Sequence, residues 1–151
     1  MRKPDLRLSD RTRKAVVREF SPRFTRSGQL LWVSEGTAEP AQISASGLKK
    51  LGLGSLSSHE LPNVLILDRK RRWLFLVDVA AIRGQVTVLR CEALKQVFQR
   101  CDLGFIFVSA YQHRAEFQSL GPNFAWGTSA WFADEPAHML HFNGGVLGGP
   151  F

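Results

Sequence analysis

Asn63 and Asp78 stand at the two ends of a stretch, LPNVLILDRKRRWLFLVDV (residues 61–79), that reads as two β-strands joined by a basic turn. If the turn lies at 69–72 and the strands run antiparallel, residue 63 starts one strand close to where residue 78 ends the other. The two side chains then converge at one end of a sheet. Oxygen ligands placed in this way suit the hydrolysis of a phosphodiester. That reaction needs two ligands to hold Mg²⁺, which activates water and stabilises the charge on phosphorus. It also needs a nearby cation, for which Arg83 and Arg90 are the candidates. Asp78 supplies one charged ligand. Asn63 supplies only a neutral carbonyl oxygen, which lacks the charge that draws a hard dication out of water. Asp68 sits at the far end of its strand, roughly 17 Å away at about 3.3 Å per residue, and cannot replace Asn63 in this register. Asp78 also has a plainer reading, as a solvated or loop-capping carboxylate at a strand end. The RKRR cluster at 69–72 is either a contact to a nucleic-acid backbone or a solvated turn.

The elements that must position these residues can be traced along the chain. Ser9 can cap a helix over about 10–20, with Ala15, Val16, Val17 and Phe20 on its apolar side and Pro22 ending it. QLLWVS (29–34) is a strand candidate, and SGLKKLGL (46–53) a short helix closed by glycine. Strands at about 63–68 and 73–79 follow. Thr87 can cap a helix over about 88–100, in which Val88, Cys91, Leu94, Val97 and Phe98 fall on one face. LGFIFVSA (103–110) is an apolar run of the kind found in a strand buried on both faces. A short helix near 112–120, a strand at 128–134 and a glycine-rich edge segment complete the order. This alternation predicts an α/β domain with a mixed central sheet flanked by helices. The unit 73–79, 88–100, 103–109 is expected to be a right-handed crossover joining two parallel strands.

At 151 residues the chain is expected to form one domain, residues 1–151, with a core that needs neither disulfide nor metal. Cys91 and Cys101 lie at opposite ends of one helix and are not expected to bridge. No apolar stretch approaches a membrane span and no secretory signal is visible, so a cytoplasmic protein with reduced thiols is expected. The formal net charge is +7, and it is concentrated. Residues 1–26 carry nine Lys and Arg against three Asp and Glu, so nearly all the excess lies in this basic N-terminal region. Such asymmetry suits a polyanion partner, with Arg11, Arg13, Lys14 and Arg18 as the phosphate contacts; a solvated arm is the alternative.

Other motifs carry less. His138 and His141 could share a metal, but the segment reads as extended, which turns residues three apart to opposite faces. Trp126 and Trp131 could stack on bases, but both are expected in the core. Ser109 and Ser129 lack a histidine–carboxylate arrangement at usable spacing.

Taken together, REFSPRF, LPNVLILDRKRRWLFLVDV, LGFIFVSAYQHRAEF and above all FAWGTSAWFADEPAHMLHFNGGVLGGPF resemble the catalytic domain of the BsuBI/PstI family of type II restriction endonucleases. The resemblance covers nearly the whole chain. It implies a PD-(D/E)XK restriction-endonuclease-like fold, Mg²⁺-dependent cleavage of duplex DNA, and a restriction-modification context. It places the metal ligands at Asn63 and Asp78, and its Lys-Arg pair falls on Leu89-Arg90, which leaves Arg90 as the candidate catalytic cation. Family members carry a helical domain before this one, so sequence-specific recognition is not expected of this chain alone.

Several positions depart from the family pattern. Asn63 stands where the family has aspartate, and Asp78 where it has glutamate. Ala81 and Ile82 replace a Thr-Ser pair, Leu89 replaces a lysine, and Gly145 replaces an aspartate. Apolar positions are kept while ionisable and hydroxyl positions are lost. The expectation is a DNA-binding protein of restriction-endonuclease type whose nuclease centre is impaired, with Mg²⁺ bound only if it is active. The alternatives are a working Mg²⁺-dependent endonuclease and a protein-interaction or regulatory module, either as a homodimer or with another protein partner.

Overall fold

A computed structural model describes residues 6–25, 28–34, 42–43, 49, 51–52 and 60–142. The helix expected at 46–53 lies largely outside these residues, as does the tail after Phe142.

The first helical segment is longer than its apolar pattern suggested. Helix α1 (Leu6–Ala15) passes into a single π turn (Val16–Phe20) and then a final α turn, α2 (Ser21–Phe24). Ser9 therefore lies inside the helix and does not cap it. Pro22 does not end the helix either. It sits in the first turn of α2, where its missing N–H is tolerated, and the π turn just before it opens the ladder that a proline ring would otherwise crowd.

The strands are β1 (Gly28–Val33), β2 (Gln42–Ile43), β3 (Val64–Asp68), β4 (Trp73–Val79), β5 (Gly104–Tyr111), β6 (Thr128–Phe132) and β7 (Met139–Phe142). They form one sheet in the order β2-β1-β3-β4-β5-β6-β7. Strands β4, β5 and β6 are parallel, and the other pairings are antiparallel. The sheet is thus mixed. After β4 the chain makes one short turn, α3 (Ala80–Arg83), and a helix, α4 (Val88–Val97), before returning as β5. Helix α5 (Arg114–Leu120) links β5 to β6. Thr87 caps α4, its side chain accepting the Arg90 N–H at 3.2 Å.

Alternation along β3 and β4 divides the core between the two faces. Val64, Ile66, Phe75, Val77 and Val79 pack with Val16 and Phe20 of the first helical segment. Leu65, Leu67, Leu74 and Leu76 pack with Cys91, Leu94 and Phe98. Helices therefore cover both faces. Val88, expected on the buried side of α4, is exposed, because the helix meets the sheet only from Cys91 onward. Strand β5 is buried on both faces only from Phe107; Gly104 is exposed, and Phe105 and Ile106 are half-buried.

Candidate functional site

Asn63 immediately precedes β3, and Asp78 is the last but one residue of β4. Val64 pairs with Val77, which sets residues 63 and 78 opposite each other on the α4 side of the sheet. Both side chains are buried. Asn63 Oδ1 accepts the Val79 N–H at 2.8 Å, and its amide nitrogen donates to Ser34 Oγ at 3.1 Å. The Asn63 side chain thus ties β4 to the end of β1.

Asp78 is not a solvated carboxylate. Arg90, in the first turn of α4, grips it with two hydrogen bonds: Nε to Oδ2 at 2.7 Å and Nη2 to Oδ1 at 3.2 Å. A planar guanidinium suits a carboxylate in this two-point geometry, and such charge-assisted bonds are the strong ones. Arg83, the other candidate cation, donates to the Leu61 carbonyl at 3.3 Å.

A polar layer, of which the sequence offered only Ser109 and that as a nucleophile without partners, continues from this pair across β5. Ser109 is the register partner of Asp78, and its hydroxyl accepts the Val86 N–H at 2.9 Å. Gln85 donates from one amide nitrogen to the Tyr111 hydroxyl at 2.9 Å and to the Gly121 carbonyl at 3.1 Å. Ser109 and Tyr111 stood out only as hydroxyls inside an apolar run, two residues apart and hence on one face. Burial pushes the Tyr111 phenol up, against hydrogen bonds from Gln85 and Ser109 that pull it down. Burial also raises the Cys91 thiol; Lys95 lowers it, while Glu92 and Asp78 raise it further. Both cysteines are free.

The four basic residues expected to meet phosphate divide in the structure. Arg11 and Arg18 are exposed. Arg13 is only 2% exposed, pairs with Asp10 at 3.0 Å, and has no hydrogen-bond partner at Nη1. It cannot reach a polyanion from there. Its burial follows from spacing: Arg13 lies three residues before Val16 and seven before Phe20, on the stripe that faces the sheet. Lys14 is half-buried and has partners of its own.

The basic turn at 69–72 lies at the other end of β3 and β4. Arg69 donates to Gln29 Oε1, Arg71 to Asp68 Oδ2 and the Phe24 carbonyl, and Arg72 to the Asp102 carbonyl. These arginines tie neighbouring segments together.

The two tryptophans also divide. Trp131 is fully buried, with its indole N–H on the Pro136 carbonyl at 3.0 Å. Trp126, expected in the core, is 74% exposed. The Ala125 N–H is held by the Val86 carbonyl at 2.9 Å, and Gly127 follows with φ near +83°, so the chain turns between them and leaves the indole outside. Ser129 Oγ lies 2.9 Å from His141 Nδ1, a contact set by the pairing of β6 with β7. Sequence spacing alone gave no hint of it. Among the described residues, no group of three or more His, Cys, Asp or Glu side chains is placed to hold a metal.

A seven-stranded mixed sheet, helices on both faces, and a polar pair where an antiparallel hairpin opens together define a restriction-endonuclease-like α/β fold. The chain belongs to the BsuBI/PstI restriction endonuclease domain family, which it matches over residues 8–145. It is 30% identical over 138 residues to the type II restriction enzyme BsuBI of Bacillus subtilis, a match covering 91% of this chain and 44% of that protein. It is 27% identical over 88 residues to the type II restriction enzyme AplI of Arthrospira platensis, covering 58% of this chain and 27% of that one. The solved structure of the SdaI restriction endonuclease superposes with a TM-score of 0.83 at 28% identity, over 95% of this chain and 45% of that one. The chain thus spans less than half the length of these relatives. Among the described residues, no helix is long and apolar enough to cross a membrane.

Proposed function

We propose that this chain is a DNA-binding domain of restriction-endonuclease type, from a restriction-modification or other defence system, whose nuclease centre is impaired. The observation that carries this reading is the Asp78–Arg90 pair. A Mg²⁺ ion at this place needs charged oxygens free to replace its water. Both Asp78 oxygens already accept from a guanidinium, and Asn63 Oδ1 accepts the Val79 N–H. Asn63 adds no charge. The residues present do not fit the ion. Arg90, a candidate catalytic cation, acts here as the counter-ion of a buried carboxylate.

DNA binding rests on the basic N-terminal region, with Arg11 and Arg18 as the exposed contacts and Arg13 withdrawn. The described strands join one sheet, which supports reading residues 1–151 as one domain. Free thiols and a DNA partner suit the cytoplasm. The test is to incubate the purified chain with duplex DNA and Mg²⁺ or Mn²⁺ while measuring binding by anisotropy. Salt-sensitive binding without cleavage is expected. Robust metal-dependent cleavage would show a working endonuclease instead.

A second reading, as a protein-interaction module, is favoured by a separate observation: Val88, Leu89 and Trp126 are large apolar side chains left in solvent.

A further inference from the structure

The first helical segment ends at Phe24, and beyond it the face of the sheet that it covers opens into a cavity of about 400 Å³. The cavity lies toward the start of β4, away from Asp78. Phe24, Trp73, Phe75, Phe105 and Met139 wall it. Strand pairing explains the opening. Strand β5 pairs with β4 from Gly104 onward, whereas its pairing with β6 starts only at Phe107. The β6-facing edge of residues 104–106 therefore has no described strand beside it, and Phe105 and Ile106 line the cavity.

Its polar side chains are few and held in place, as in a small-molecule site. Arg71 is fixed at Nε by Asp68 Oδ2 at 2.7 Å and at Nη2 by the Phe24 carbonyl at 2.6 Å. Its guanidinium carbon sits 4.2 Å from the centre of the Trp73 ring. Nη1 has no partner among the described residues. Ser129 Oγ lies 2.9 Å from His141 Nδ1, which leaves Nε2 as the ring nitrogen able to meet a ligand. Thr128 turns its hydroxyl instead to the Ala125 carbonyl. No carboxylate is among the described residues that line the cavity.

We infer that this cavity binds a single nucleotide, with its base among the aromatic walls and its phosphate on Arg71 and His141. Bases stack on aromatic rings and on guanidinium planes alike, and Trp73 with Arg71 offers both. The open edge of β5 offers backbone donors and acceptors of the kind a base edge needs. With the Ser129 hydroxyl donating to Nδ1, His141 Nε2 carries the ring proton and donates to the phosphate beside Arg71 Nη1. An aromatic cage can also take a cation, but here Arg71 already occupies the ring face and would repel a second one. The nucleotide is either a free molecule or an unpaired nucleotide within DNA, since both present the same chemistry. The inference does not depend on whether the nuclease centre works.

The test titrates the full chain with each deoxynucleoside monophosphate by calorimetry. Saturable binding of at least one is expected, with about tenfold weaker binding of the matching deoxynucleoside, which lacks the phosphate. Inorganic phosphate, which lacks the base, should bind more weakly than the monophosphate. Arg71→Lys keeps the charge but not the fork and should weaken the nucleotide about tenfold. His141→Ala and Ser129→Ala should each weaken it about threefold with unchanged circular dichroism. His141 is exposed, so its variant decides even if Arg71→Lys does not fold. A hairpin duplex with one bulged nucleotide, set against its fully paired counterpart, separates the two sources. If His141→Ala lowers affinity for the bulged duplex alone, the nucleotide is bound within DNA. If it spares both duplexes while monophosphate binding falls, the site takes the free molecule. A loss shared equally by both duplexes would make His141 a backbone contact and overturn the inference. So would equal binding of inorganic phosphate and the monophosphates, or binding indifferent to all three variants. No binding of any monophosphate at millimolar concentration, together with equal affinity for the two duplexes, would overturn it as well.

Discussion

Arg90 and Asp78 meet through two hydrogen bonds across the β4–α4 crossover, with the carboxylate buried and the guanidinium only partly so. One partner comes from the end of a strand and the other from the first turn of the next helix, so the pair also fixes how α4 docks on the sheet. Removing one partner of a buried pair strands the other charge, at a cost of about 3–5 kcal/mol. Arg90→Leu is expected to lose about that much in urea denaturation. Adding Asp78→Asn should recover a large part, because no charge is then left buried. A loss in the single variant below about 1 kcal/mol would show the carboxylate to be well solvated.

The metal reading has its own check. Asn63→Asp places a second carboxylate opposite Asp78, and the Ser34 hydroxyl, which now accepts from the amide, can turn to donate. Combining it with Arg90→Gln releases Asp78. Mg²⁺ and Mn²⁺ should bind the double variant more tightly than the unmodified chain by calorimetry. Equal affinity in the two proteins would mean that positions 63 and 90 do not govern metal binding.

For DNA, the division among the arginines gives opposite expectations at neighbouring positions. Arg11→Ala with Arg18→Ala should weaken duplex binding and lower the salt slope by about 0.9 per lost phosphate contact. Arg13→Ala should leave the slope alone and lower stability. If Arg13 proves to set the salt slope, the helix docks differently in solution.

Glu116 carries the pH prediction. Burial raises its carboxyl, against a hydrogen bond from the Gln112 N–H and the nearby His113, which lower it. With the folded value above the unfolded one, the folded state holds a proton that the unfolded state has lost in the window between them. Stability is therefore fully present below the ordinary carboxylate value and falls as pH rises through the raised one. Glu116→Gln should remove that fall and keep an acceptor for the Gln112 N–H. Identical stability–pH curves for the two proteins through the acid range would refute this.

The tryptophans separate core from surface. Trp131→Ala should cost about 3–5 kcal/mol, since the whole indole is buried against Phe20 and its N–H is bonded. Trp126→Ala in the dilute protein should cost less than about 1 kcal/mol. Melting curves of the two variants that overlay would contradict the assignment.

The β3–β4 hairpin was legible in the sequence because two apolar runs flank a turn rich in charge, and that alone set residue 63 opposite residue 78. The α4 crossover was legible from Thr87 and the spacing of Cys91, Leu94 and Phe98. What could not be read was the path of the loops. Trp126 lies among small and apolar neighbours and looked like core; only the bond from Ala125 to Val86 turns it outward. The two-point grip of Arg90 likewise depends on where the crossover lands. Arg13 is a different case, because its place on the Val16–Phe20 stripe was visible and its charge hid it.

Strand β1 carries one residue more than β3 opposes to it. Leu30 pairs with Ile66 and Trp32 with Leu65, so Leu31 is the surplus, and both Leu31 and Trp32 enter the same core cluster. Trp32 then reaches the Pro62 carbonyl with its indole N–H at 2.9 Å, one residue before Asn63. A deletion elsewhere in a strand would turn every later side chain to the opposite face. At position 31 it would only make the ladder regular, leaving Gln29 and Ser34 facing as they do now. Position 31 is thus where this strand can change length without disturbing its pairing, and relatives that differ in length here should carry their gap at that residue.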